Sequence, residues 1–498
     1  MRLADLLTTA GFPLAQPLGQ EAAAREITLI TQDSRTAGPG SLFAALPGSR
    51  FDGRSFIPEV LAKGTDVVLA PSGTQLPEGS QATLLASDAP RHWLARLAAV
   101  FLAPQPRLLV CVTGTSGKTS VAHFTRGLWS SLGQRAASLG TLGVQPAVVP
   151  PLPGLTTADP VALHGCLSDL QAAGYEQVVL EASSHGLDQH RLDGLDVAAA
   201  AFTNLSHEHL DYHGDMASYF AAKARLFADL LRPDGVAVLN ADSPYYEELT
   251  VIARRRGQRI LSFGNSGAAN LRLLAQTPVA KGQTLDLSID GKEQRLLLPL
   301  IGDFQASNAL AALGLVIGTG ADPDAALAGV TRLTPVPGRL EYVGQTAQGG
   351  RVYVDYAHKP AALEAVLTTL RPHTKGRLSV VVGCGGDRDR EKRPVMGRMA
   401  AELADRGIIT DDNPRSEDPA RIRAAMLAGN PSLTEIGDRE EAIAAAIADL
   451  RANDVLVIAG KGHESGQTAG GVTLPFDDRE VARRYLAMEN GDEGGKAA

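Results

Sequence analysis

The chain has 498 residues, 44% apolar and 20% charged, with a formal charge of −8. This is the make-up of an ordinary water-soluble protein long enough for about three domains. The acidic balance excludes a dedicated nucleic-acid binder, whose footprint is basic, but leaves room for a local basic pocket.

Three cysteines, Cys111, Cys166 and Cys384, are too few and too scattered for a disulfide framework or a zinc site, and are expected as buried thiols. The opening stretch MRLADLLTTAGFPL has no sustained apolar core and no cleavage signature. No run of about 18 apolar residues occurs, so no membrane span is expected. A cytoplasmic enzyme is the expectation.

In chain order, short continuous apolar runs predict strands at 66–70, 107–114, 177–183, 198–205, 235–241, 378–386 and 454–462. Helical stretches alternate with them, as in SVAHFTRGLWSSLG and REEAIAAAIADL. Uninterrupted apolar strands with helical crossovers indicate parallel sheets covered on both faces, hence an α/β fold. Alternation and turn signals over 270–300 predict antiparallel strands instead. Proline-rich breaks at 101–108 and 332–343 divide the chain into about 1–104, 105–333 and 334–498. The tail ENGDEGGKAA is expected to be disordered.

Between the strand at 107 and the helix that follows lies TGTSGKT. The usual phosphate-loop spelling puts its first glycine five residues before the Gly-Lys pair. Here Val112 stands at that place and the glycine comes at Gly114. The context is still that of a phosphate site. A strand enters a glycine turn, and a helix N-terminus offers unpaired N–H groups and the positive end of its dipole. Lys118 would reach the outer phosphates and Thr119 would hold magnesium. Downstream, Glu181 ends a strand, FTNLSHEHLDYHG is rich in histidine and acid, and Lys223 sits on an alanine-rich helix. Beside a phosphate loop, the spacing of His207, His209 and His213, with no cysteine partners, suits magnesium with oxygen ligands and one imidazole better than zinc.

TGTSGKT, EASSHGLDQHR, NLSHEHLDYHGDMASYFAAKARLF, GDFQASNALAA, PGRLE, VDYAHKPAALEAVL, GCGGDRDREKRPVMG, DDNPR and AGKGHE follow one another in an order that resembles the Mur ligases. Within them it is most similar to the enzymes that extend UDP-N-acetylmuramoyl-L-alanyl-D-glutamate by the third residue of the peptidoglycan stem peptide. The resemblance covers roughly residues 30 to 480. It implies three domains: a smaller α/β N-terminal domain (1–104) for the uridine nucleotide, a central P-loop domain (105–333) with a mostly parallel sheet for ATP, and a Rossmann-like C-terminal domain (334–498) for the amino acid. The family spells its loop T-G-T-x-G-K-T, usually with Asn at x, so Ser116 is a mild departure.

The resemblance further implies an ATP-dependent, ADP-forming ligase of cytoplasmic peptidoglycan precursor synthesis, acting as a monomer on UDP-MurNAc-L-Ala-D-Glu and a diamino acid. Gly114, Thr115, Ser116, Gly117, Lys118 and Thr119 would cradle the phosphates, with Asn308 and Arg339 near the nucleotide. Thr119, Glu181 and His209 would surround Mg2+. Lys223 matches a lysine that the family carbamylates, which turns a cation into an anion able to hold a second Mg2+. On the nucleotide-sugar side, Ser34 is the candidate for the uridine diphosphate, with Ser49, Arg50 and Phe51 nearby; Gln32 stands where the family often has leucine. Thr156, Thr157, Ser183, Gln189 and Arg191 match contacts to the muramyl peptide. Asp412, Asn413, Pro414 and Arg415 match the motif of members that add meso-diaminopimelate, and Arg388, Gly460 and Glu464 match further contacts to that amino acid. A guanidinium fork suits the distal carboxylate that lysine and ornithine lack. Lysine or ornithine remains an alternative acceptor, and a folylpolyglutamate synthetase a more distant alternative. A GTPase would need an N-K-x-D element, which is not present.

Overall fold

A computed structural model describes residues 1–14, 16–48, 51–152, 154–279 and 282–491. Ser49, Arg50 and most of the expected disordered tail lie outside these. The chain forms two compact units, one of residues 1–274, 287–294 and 307–330, the other of 275–286, 295–306 and 331–498.

The first unit opens on a small parallel sheet, β1 (Leu29–Thr31), β2 (Ser41–Ala44), β3 (Val67–Pro71) and β4 (Thr83–Ser87), in that order. Helices 3–10 and 90–101 pack Leu3, Leu6, Leu7, Leu94 and Leu97 against it.

The large sheet follows, with β5 (Leu108–Thr113), β6 (Ala136–Gly140), β7 (Gly143–Gln145), β8 (Gln177–Glu181), β9 (Val197–Phe202), β10 (Leu231–Asn240) and β11 (Arg259–Gly264). The strand order is β11-β10-β9-β5-β8-β6-β7, parallel except at β7. Both neighbours of β5 are parallel strands, and the LLVCV run is covered by side chains on each face, with Leu109, Val110, Cys111 and Val112 wholly buried. That is why it reads as one apolar run rather than an alternating one. The strand order reverses direction at β5, between β9 and β8, the place where open α/β sheets leave a crevice at the carboxyl ends of their strands.

Strands β12 (Leu271–Val279), β13 (Gly282–Ile289) and β14 (Lys292–Leu298) fill the 270–300 stretch. β13 and β14 are neighbours joined by Asp290-Gly291 alone, so they run antiparallel. Both turn residues have positive φ, 46° and 84°, the turn that Asp-Gly favours.

The second unit carries β15 (Glu341–Gln345), β16 (Arg351–Asp355), β17 (Leu378–Val382), β18 (Arg406–Ile409), β19 (Thr434–Glu435) and β20 (Val455–Ala459). Their order is β15-β16-β20-β17-β18-β19, parallel but for the β15 edge. A small antiparallel hairpin, β21 (Gly466–Ala469) and β22 (Val472–Pro475), stands apart from the sheet. The α/β reading holds throughout. All three cysteines are buried free thiols, and no helix among the described residues is long and apolar enough to cross a membrane.

Candidate functional site

The phosphate-type loop leaves the end of β5 and enters a helix, Lys118–Ser131. Gly114 has φ +148° and Gly117 has φ +88°. A side chain at either is also excluded by space. A Cβ on Gly114 would lie 1.9 Å from Thr203 Oγ1, and one on Gly117 would lie 2.4 Å from Asn308 Oδ1. Asn308 is thereby packed against the loop's last glycine. The backbone of residue 116 is clamped from outside the loop. Its N–H donates to Asn204 Oδ1 (2.9 Å), and its carbonyl accepts from Thr203 Oγ1 (2.6 Å) and Asn204 Nδ2 (3.2 Å). The loop's shape is thus set by contacts to the main chain of Ser116.

Two lysines converge on this turn. Lys118 Nζ donates to the carbonyls of Gly114 and Thr115, both at 2.9 Å. Lys223, on the helix Met216–Arg225, donates to the same Gly114 carbonyl at 2.8 Å and lies over the Tyr219 ring at 4.7 Å. Lys223 is 1% exposed. Burial first, and then the Lys118 charge, push its pKa well below the ordinary lysine range, against a weaker pull from Glu208. A buried ammonium beside a second ammonium is unfavourable, so the amine is driven toward its neutral form.

Glu181, at the end of β8, is buried opposite the loop helix. Its carboxylate accepts from Thr119 Oγ1 (3.1 Å), Thr141 Oγ1 (3.1 Å) and the Thr141 N–H (2.9 Å). Burial still pushes its pKa above the usual carboxylate range, with Lys118 and these donors opposing. The three donors therefore do not fully offset the desolvation of the charge. Hydroxyl and carboxylate oxygens around an undercompensated buried carboxylate are a hard-cation donor set, and Mg2+ fits it. His209 sits among rings, with His185 at 5.0 Å and Tyr219 at 6.1 Å between centroids. The segment that follows it forms a short helical turn, Leu210–His213.

The muramyl-peptide candidates form one chain of contacts. Thr141 and Thr156 hydroxyls are 3.2 Å apart, and Thr157 Oγ1 donates to the Glu181 carbonyl (2.8 Å) and accepts from the Ser183 N–H (3.0 Å). Arg191 donates to the Thr157 carbonyl and to Gln189 Oε1, both at 2.7 Å. Gln189 and Arg191 line a cavity of about 240 Å³ with Gln32, Leu46, Arg91 and Asp159. Gln32, the position that departs from the family's leucine, therefore faces this cavity. Ser34 is half-buried, its carbonyl accepting from Lys63 Nζ at 3.0 Å, and Phe51 is 72% exposed. Buried Asp193, two residues after Arg191, gathers His92 (2.5 Å), His190 (2.8 Å) and Arg225 (2.7 Å). Burial alone would raise its pKa, but His190, His92 and Arg225 hold the carboxyl well below the usual range.

In the second unit, a cavity of about 460 Å³ is lined by Arg388, Asp412, Asn413, Arg415, Gly460 and Glu464 together with Tyr356, His358, Lys359 and Lys392. Every amino-acid candidate but Pro414 is on its wall. Asn413 and Arg415 have positive φ, 45° and 53°. The hairpin β21–β22 supports this strained segment. Asn413 N–H donates to Gln467 Oε1 (3.0 Å), Arg415 N–H to the Thr468 carbonyl (2.9 Å), and Gly470 N–H to the Arg415 carbonyl (2.7 Å). Arg415 Nη1 donates to the Gly386 carbonyl at 2.8 Å. Asn413 Nδ2 donates to Glu464 Oε2 at 2.8 Å. Arg339 stacks over Tyr356 at 4.3 Å, near Asp355, whose carboxyl burial pushes up to about 6.

Arg91, Thr141, Asn204, Asp355 and Lys461 belong to these sites without having been singled out in the sequence. Asn204, Asp355 and Lys461 lay inside the quoted stretches NLSHEHLDYHG, VDYAHKP and AGKGHE without being picked out from them; Arg91 and Thr141 carry no local signal.

Comparison with known proteins agrees with the geometry. Models of the "Mur ligase family, catalytic domain", the "Mur ligase middle domain" and the "Mur ligase, glutamate ligase domain" match residues 26–102, 112–316 and 338–462. A UDP-N-acetylmuramoyl-L-alanyl-D-glutamate–2,6-diaminopimelate ligase of Caulobacter vibrioides is 50% identical over 469 residues, 93% of this chain and 96% of that one. The ligase of the same name in Rhizobium meliloti is 47% identical over 487 residues, 98% and 99% of the two chains. A solved structure of a ligase of that name superposes with a TM-score of 0.72 at 34% identity, covering 98% of this chain and 99% of the other. A folylpolyglutamate synthase of Mycobacterium tuberculosis, solved with ADP and AMPPCP, shares the fold at a TM-score of 0.59 and 22% identity over 80% of this chain and 94% of that one. The chain belongs to the Mur ligase family.

Proposed function

We infer that the protein is an ATP-dependent ligase that joins meso-2,6-diaminopimelate to UDP-MurNAc-L-Ala-D-Glu in cytoplasmic peptidoglycan precursor synthesis. The observation that carries the choice of amino acid is the second-unit cavity, where Arg415 and Glu464 offer a cation for a distal carboxylate and an anion for a distal ammonium. Near full-length relatives of that name support the reaction class.

A carboxylate is a poor electrophile, because its leaving group would be oxide. Transfer of a phosphoryl group from ATP makes an acyl phosphate and releases ADP. The amine then attacks the acyl carbon, loses a proton, and phosphate leaves from the tetrahedral intermediate. The protein's part is positioning and charge neutralisation. The Gly114–Thr119 turn and the first helical N–H groups would hold the phosphates, and Lys118 would neutralise charge on the one transferred. Thr119 and Glu181 would hold Mg2+, with His209 as a further ligand; the ion neutralises phosphate charge when bound. Asn308 and Arg339 would meet the nucleotide. Ser34 and Phe51 would meet the uridine diphosphate, and Thr156, Thr157, Ser183, Gln189 and Arg191 the muramyl peptide. On this assignment residues 1–104, 105–333 and 334–498 serve the uridine nucleotide, ATP and the amino acid.

Lys223 would act as its carbamate. A neutral amine attacks CO2, loses a proton and becomes an anion, and burial with Lys118 alongside favours that neutral amine. An anion beside Lys118 also removes the like-charge contact. With 13C-bicarbonate, the carbon spectrum of the wild type should show a carbamate line that Lys223→Arg lacks. An identical spectrum for the two proteins removes the assignment.

The reaction is tested by phosphate release with UDP-MurNAc-L-Ala-D-Glu and ATP, offering meso-diaminopimelate, lysine and ornithine side by side. Release with diaminopimelate should exceed that with either of the others at least about tenfold, since an unpaired buried charge costs more than about 1.4 kcal/mol. Equal rates, or a preference for lysine, would overturn the choice of amino acid.

A further inference from the structure

Two lysines are buried among the described residues, Lys223 and Lys461. The first belongs to the nucleotide half. The second, just past β20, is 0% exposed, and none of the roles proposed above uses it.

Its ammonium donates to Asn413 Oδ1 at 3.1 Å. It lies 3.6 Å from Asp412 Oδ1 and 3.9 Å from Glu464 Oε2. Asn413 Oδ1 also accepts from the Thr468 N–H at 2.9 Å. An ammonium and a backbone N–H can only donate, so the amide oxygen has to face them. The amide nitrogen is then turned to Glu464, 2.8 Å away. Flipping the amide would set its NH2 against two donors and leave Glu464 facing an oxygen. The cation, together with the Thr468 N–H, therefore holds Asn413 in one orientation and sets where the Glu464 carboxylate rests. It also offsets charge between Asp412 and Glu464, two carboxylates on one cavity wall.

We propose that Lys461 is a positioning residue for amino-acid selection: through Asn413 and Glu464 it fixes the part of the cavity that takes the distal ammonium of the diamino acid, without touching a reacting atom. This rests on the diaminopimelate-ligase reading given above.

Lys461→Met keeps an unbranched chain and removes the charge and the donors. Its KM for meso-diaminopimelate should rise about tenfold or more, while kcat and the KM values for ATP and for the UDP-linked substrate stay within about threefold. In a Glu464→Gln background, which already lacks the carboxylate, the same change should raise KM less than about twofold. Lys461→Arg, which retains cation and donors, should recover most of the loss. If Lys461→Met yields no folded protein by circular dichroism, Lys461→Gln is read in the same way against Lys461→Arg. An unmoved KM for diaminopimelate, a parallel rise in all three KM values, or an undiminished effect in the Glu464→Gln background would each overturn the proposal. Wild type inactive with diaminopimelate would instead defeat the ligase reading on which it stands.

Discussion

Lys118→Ala should lower substrate-dependent phosphate release by about 10³-fold or more, with the fold intact. Losing one preorganised donor at a site of developing charge typically costs 10²- to 10³-fold. Lys118 has two further effects that push the loss upward. Its charge opposes the rise in the Glu181 pKa, so removing it makes that carboxylate a poorer partner for a divalent cation. Its charge also helps depress Lys223, so removing it raises the Lys223 pKa and leaves more of the amine as ammonium, which cannot take up CO2. Lys118→Arg should restore little. Lys118 points one compact ammonium at the two carbonyls of its own turn, and a planar fork does not reproduce that. Phosphate release in the presence of UDP-MurNAc-L-Ala-D-Glu and diaminopimelate reads the effect directly, with thermal melting as the control. Retention of a tenth or more of the wild-type rate would sink the assignment of this loop to ATP.

The second large effect is one of selectivity. Arg415→Ala should cut kcat/KM for diaminopimelate by about 30-fold or more and leave the low value for lysine within about threefold. Truncating one partner of a hydrogen-bonded charge pair costs about 2–5 kcal/mol, and lysine has no distal carboxylate to lose a partner. Arg415 is prepared for this contact. Its backbone is held in the left-handed region and one guanidinium nitrogen is anchored on the Gly386 carbonyl, so little rotamer freedom is left to lose on binding. Equal losses with the two amino acids would show that Arg415 supports the loop rather than reads the ligand.

The parts of this protein that were legible in its sequence are those whose physics is local. LLVCV and LSVVV announced buried parallel strands because both faces of each are covered, and TGTSGKT announced its turn because glycine, lysine and threonine are consecutive. Alternation and turn signals over 270–300 announced antiparallel strands for the same reason. What stayed hidden is assembled over distance. Asn204 clamps Ser116 from 88 residues away, and Lys461 steers Asn413 from 48. Each is a single polar residue with no periodicity, and the partner that gives it this role lies far away in the chain. Lys223 shows the boundary between the two cases. Resemblance marked it, but the alanine-rich helix around it gives no hint that its ammonium is buried against a carbonyl shared with Lys118. The hairpin 466–475 was missed because four-residue strands with glycine in the turn carry little hydrophobic signal; Val472 and Leu474 are 59% and 64% exposed.

That hairpin bears on any attempt to change what the enzyme adds. The pentapeptide DDNPR looks like a portable cassette, one that could be cut from this chain and set into a lysine-adding relative. Its curvature, however, is stored some fifty residues downstream, in the main chain of Thr468 and Gly470 and the side chain of Gln467. A graft of 411–415 alone would carry the letters without the mould. The unit of exchange is the pentapeptide together with its hairpin, two distant stretches of gene that have to travel as one.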